Sequence, residues 1–139
     1  MTMKIKLSAV ALLAVIASGQ ARAAALTDAE ATFLDQLIMA AAVLEQRCPG
    51  YEVNGAGGVQ YGASILGSPN AAMAMIDAFD AAIKAQNGND YDASKFRLEV
   101  SEVAGKTFNE VRANLIKNPE AACADYGETS VSRGLLRRY

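Results

Sequence analysis

The sequence has no histidine and no tryptophan, only two cysteines, and aromatics at 6% of its residues. Each shortage removes chemistry. Without histidine there is no Ser-His-Asp triad, no Cys-His dyad and no imidazole ligand for zinc or haem. Two cysteines cannot hold an iron–sulfur cluster or a four-thiolate zinc site. Few aromatics argue against a sugar-stacking cleft. These shortages predict a protein that is not an enzyme. No apolar run reaches the ~20 residues of a membrane-spanning helix.

The N-terminus has the composition of an address. Lys4 and Lys6 precede the apolar run Leu7–Ser18, and Ala21-x-Ala23 is a small-x-small cleavage pattern. The pattern predicts a signal peptide over residues 1–23 and one domain over 24–139. The mature chain would then be periplasmic or secreted, with no stable membrane anchor. Cleavage removes three of the 13 basic residues and none of the 15 acidic ones, which leaves a formal charge of −5. Nucleic-acid binding needs a basic footprint, and this chain lacks one. In an oxidising compartment Cys48 and Cys123 are expected to pair. There is no Cys-x-x-Cys to suggest a redox pair.

The mature sequence reads as helices. Thr27-Asp28-Ala29-Glu30 is a capping box. Leu34, Leu37, Ile38, Ala41 and Leu44 then recur at helical spacing to about Gln46, and Pro49-Gly50 ends the run. Residues 51–67 carry five glycines and read as a surface loop. No Lys-Ser/Thr pair follows GAGG at 55–58, so a phosphate loop is not expected. Ser68-Pro69 opens a second helix, which Asn87-Gly88 closes. A third is expected from about Asp92 to Asn118, where Gly105 suggests a close helix crossing. Asn118-Pro119 starts a short fourth helix that carries Cys123 and stops at Gly127. Residues 128–139 read as a polar tail that is mobile unless Leu135 and Leu136 dock. No strand is expected. The fold class is therefore all-α: a small bundle of three main helices plus a short C-terminal helix, with one disulfide.

Two arrangements suggest binding. Tyr51, Tyr61, Tyr91, Tyr126 and Tyr139 all fall outside the expected helix interiors, and tyrosine suits interfaces. Tyr51 and Tyr61 lie in the Gly-rich segment and are the expected partner-binding residues. The leading expectation is an exported, non-enzymatic binding protein with a protein partner. An inhibitor or immunity protein is one version, and a chaperone is another. The second arrangement is Asn87-Gly88-Asn89-Asp90-Tyr91-Asp92, which places hard oxygen donors in one loop. Asn87, Asn89, Asp90 and Asp92 could ligate a calcium-like or trivalent cation. That cation would be the only cofactor. Water, Asp77, Asp80 or a second copy would complete its shell, the last giving a metal-linked homodimer.

Overall fold

The computed structural model describes residues 25–139. The expected signal sequence lies outside the described residues. In chain order the elements are α1 (Asp28–Glu45), β1 (Tyr51–Val53), α2 (Gly55–Leu66), α3 (Pro69–Gln86), α4 (Leu98–Lys117), α5 (Pro119–Ser132) and β2 (Leu136–Arg138). The protein is a small all-α fold with one disulfide, as the periodicity predicts.

The helix ends follow local chemistry. The capping box of α1 forms in both directions: Glu30 N donates to Thr27 Oγ1 at 3.1 Å, and Thr27 N donates to Glu30 Oε1 at 3.0 Å. Ser68 Oγ accepts from Ala71 N at the start of α3. At its end, Gly88 N donates to Ala85 O and Asn89 N to Lys84 O. Gly88 sits at φ +72°, the left-handed cap that glycine adopts without a Cβ clash. The end of α1 has the same bonds, from Arg47 N to Leu44 O and from Cys48 N to Val43 O. Here the left-handed residue is Arg47, at φ 54°. That conformation costs a non-glycine residue about 1 kcal/mol.

The direction of the helices is less familiar. Arg97, at the start of α4, pairs with Glu30 at the start of α1 at 2.8 Å. Arg112, late in α4, holds Glu45 at the end of α1 through two bonds of 2.8 and 3.1 Å. Both pairs are 67 residues apart in sequence, so α1 and α4 run parallel. The N-terminal half of α3 lies beside Thr27 and Arg97, and its C-terminal end beside Glu45 and Arg112. Three helices therefore point the same way, and each connection must return the chain. The α1–α3 return is α2. The α3–α4 return is the segment 87–97, which at about 3.3 Å per residue can span the ~27 Å length of α3. Lys95 pins it to Asp77 of α3 at 2.9 Å.

The core follows from this packing. Phe33, Leu34, Ile38, Met75, Val100, Leu115 and Leu136 are almost fully buried. Ala42, Ala72, Ala78, Ala82 and Ala104 fill the positions between them. Gly105 marks a crossing, as expected: a Cβ there would lie 3.3 Å from Gln86 Nε2, which donates to Ser101 O across the α3–α4 contact.

Four local expectations are corrected. Residues 51–67 are not a loop but β1 and α2. Asn54 Oδ1 caps α2 at Gly57 N. Gly62 lies where a Cβ would come 2.7 Å from Ala72 Cβ and 2.8 Å from Phe33 Cε2. Gly62, which weakens α2 as an isolated helix, is what lets it approach α1 and α3. The third helix begins at Leu98, not Asp92, because Asp92 Oδ1 accepts from Ser94 N and Ser94 Oγ in a local turn. The fourth helix does not stop at Gly127 but runs to Ser132. Finally, a strand pair forms where none is expected, and of the two outcomes open for the C-terminal segment the docked one holds. Leu135 and Leu136 are buried, and β2 pairs antiparallel with β1: Tyr51 faces Arg138, Glu52 faces Arg137 and Val53 faces Leu136.

Cys48 and Cys123 form the disulfide, Cα–Cα 5.5 Å and 75 residues apart. It joins the end of α1 to α5. The chain-entropy account gives a loop of this length about 4.5 kcal/mol. The double substitution Cys48→Ala/Cys123→Ala should lower unfolding stability by about 2–4.5 kcal/mol in urea melts. A loss under ~0.5 kcal/mol would contradict that account.

Arg97 also generates a pH prediction. Its guanidinium hydrogen bond is the main cause that holds the Glu30 carboxyl below its ordinary value. Glu99 is held low first by its own backbone N–H and then by Arg97. A carboxyl lowered in the fold contributes stability above its unfolded value of 4.5, and loses it as pH falls through the folded value. Arg97→Met should lower stability near pH 7 and flatten the decline below about pH 4.5. Urea midpoints across that range measure it, and an unchanged slope would refute the role of Arg97.

Candidate functional site

The two expected partner-binding tyrosines are engaged within the fold. Tyr51 lies in β1, and its ring rests on α5. A Cβ at Gly127 would stand 2.7 Å from Tyr51 Oη, with ring atoms closer still. The Tyr51 hydroxyl donates to Glu128 Oε2 at 3.1 Å, and Arg138 pairs with the same carboxylate. Tyr61 lies in α2, with its ring 6.1 Å from that of Phe33 and the Arg133 guanidinium 5.8 Å from its centroid. Both tyrosines are half-buried. They pack against different neighbours, Tyr51 against α5 and Tyr61 between α1 and the end of α5.

The Asn/Asp segment is spent on local structure. Asn87 is the C-cap of α3, and the Asn89 N–H closes that cap. Asp92 serves the Ser94 turn, which holds its carboxyl below the ordinary value through the Ser94 hydroxyl and N–H. Asn87, Asn89, Asp90 and Asp92 are all exposed. Asp77 is paired with Lys95, and Asp80 with Lys84. Among the described residues, no three Asp, Glu, His or Cys side chains are gathered to hold a metal ion.

The feature that stands out is an apolar groove of about 210 Å³ between α1, α3 and the β1–α2 junction. Leu37, Ala41 and Leu44 form one wall, and Ile76 and Phe79 the other. Leu135 and Leu136 lie beneath, and Val53 stands at the rim. Val53 is 63% exposed and Leu44 37%. The groove lies where α2 presents the side-chain-free Gly55 and Gly58 between the walls, at the end away from the Gly62 contact with Phe33 and Ala72. Its volume falls below the ~300 Å³ at which small-molecule sites begin. One or two apolar side chains would fill it.

A second, open depression of about 530 Å³ flanks the disulfide. Arg47, Tyr51, Pro119 and Glu120 line it beside Cys48 and Cys123. No described helix is long and apolar enough to cross a membrane.

Sequence reasoning missed Leu44, Val53, Phe79 and Arg47. Leu44 and Phe79 read as ordinary members of apolar stripes. Val53 lies in a glycine-rich stretch that reads as loop. Arg47 carried a usable signal, since it sits where a helix end usually has glycine.

Comparison of the chain with protein-family models, with curated proteins and with solved structures yields no match.

Gly127→Ala should displace the Tyr51 ring and break its bond to Glu128, because the added methyl overlaps the ring. Overpacking of this kind costs about 1–3 kcal/mol. The double variant Gly127→Ala/Tyr51→Ala should recover part of that loss in thermal melts. Strictly additive losses would contradict the contact.

Proposed function

We propose that this is an exported, non-enzymatic binding protein that receives apolar side chains of a protein partner in the groove between α1 and α3. One observation carries the reading: Leu44 and Val53 expose apolar surface at the mouth of a groove lined by apolar side chains. Isolated exposed apolar residues are ordinary, whereas a lined concavity with exposed apolar rims is how interface anchors are received. A groove this small suits one specific partner, as an inhibitor or immunity protein has, better than the varied clients of a general chaperone. Export is supported by the N-terminal address pattern and by the disulfide, which belongs to an oxidising compartment.

A photo-crosslinking residue at Val53 tests this in the native compartment. One partner should be captured from Val53 and none from Lys106, which is exposed on α4. Leu44→Asp should abolish capture while circular dichroism stays unchanged. Equal capture from both positions, or capture that survives Leu44→Asp, would overturn the groove as the site.

A further inference from the structure

We infer that the free edge of β1 takes up an extended segment of the partner by strand addition, with Arg47 binding an acidic residue of that segment. This inference rests on the groove reading and adds what the partner must look like there.

The edge follows from the register. Asn54 N donates to Leu135 O at 3.0 Å, and Tyr139 N donates to Gly50 O at 3.3 Å. In an antiparallel pair the bonded residues alternate, so Gly50, Glu52 and Asn54 face β2. The N–H and C=O groups of Tyr51 and Val53 therefore point to the other side. There, no hydrogen-bond partner for them occurs among the described residues, and the sheet has only two strands. An unpaired edge is a template for another extended chain. A helix cannot use it, because a helix spends its backbone groups on itself.

The edge also joins the two concavities. Val53 stands on the rim of the apolar groove, and Tyr51 lines the depression beside the disulfide. A chain along β1 would meet Leu44 and Phe79 at one end and Arg47 at the other. Arg47 is exposed and has no acidic partner among the described residues; of the other described arginines, Arg97, Arg112, Arg137 and Arg138 are ion-paired and Arg133 lies over the Tyr61 ring. It also holds the left-handed conformation that glycine would occupy without strain. A charged side chain kept at a strained position is an outlier that points to use. Guanidinium recognises a carboxylate through two parallel bonds. The occupant is thus an extended partner segment with an apolar side chain for the groove and an acidic one toward Arg47.

Random peptides displayed on phage and selected on the disulfide-bonded protein provide the test. Enriched peptides should pair apolar residues with an aspartate or glutamate. Adding such a peptide should slow amide exchange at Tyr51 and Val53 in NMR spectra. Arg47→Gly should weaken the peptide about tenfold, the loss of one charge-assisted contact. The same variant should raise Tm by about 5 °C, because glycine relieves the backbone. Weaker binding by a more stable protein cannot come from misfolding. Absence of enriched peptides, unchanged exchange at the two amides, or equal binding by Arg47→Gly would each overturn the inference. Protection of the edge at high protein concentration without peptide would replace the partner segment by a second copy and overturn it equally. If Val53 still captures a partner while the edge amides stay unprotected, the groove reading stands and strand addition alone falls.

Discussion

Two arginine–glutamate contacts, Arg97 with Glu30 and Arg112 with Glu45, fix the register of α4 along α1, with which it runs parallel. They lie 15 residues apart on each helix, so they clamp both ends of one interface. Partly exposed ion pairs contribute little energy, typically ~0–1 kcal/mol each. Their weight here is in register. Sliding α4 by one turn along α1 would break both pairs at once. The buried stripe of Val100, Ala104, Phe108 and Leu115 supplies the burial energy, and the arginines set its register against α1.

Parallel helices oblige the chain to return between them. The first return is a helix, α2, whose Gly62 admits it close to Phe33 and Ala72. The second is the exposed segment 87–97, tied down at Lys95. The last return is α5, which the disulfide fastens to the end of α1. Its Schellman end, with Leu135 N on Ser130 O, aims the chain into β2. α2 nests against α1 and α3 at Gly62, toward their N-terminal ends, and presents Gly55 and Gly58 between the apolar walls near β1, which leaves the walls open there.

The helices with strong periodicity and caps were legible in the sequence. Thr27, Ser68 and Gly88 marked their ends, and the pairing of Cys48 with Cys123 followed from there being only two cysteines. The misreadings share one cause: local signals were weighed without their tertiary neighbours. Gly62 and Gly127 look like helix breakers until Phe33 and Tyr51 are seen pressed against them. Leu136–Arg138 has no strand signature of its own and pairs only because Tyr51–Val53 lies across from it. The site was less legible than the fold. Its walls belong to stripes that any packed helix would show, and only their incomplete closure distinguishes them.

Helix direction carries the fold, because the returns α2, 87–97 and α5 are needed only if α1, α3 and α4 point the same way. Distances between spin labels on exposed positions measure it directly. Thr32 near the start of α1 can be labelled against Glu102 near the start of α4, or against Ala113 near its end. The two α4 positions are separated by about 16 Å along the helix. Parallel packing predicts that Thr32–Glu102 is the shorter distance. A shorter Thr32–Ala113 distance would contradict the parallel arrangement on which those three returns depend.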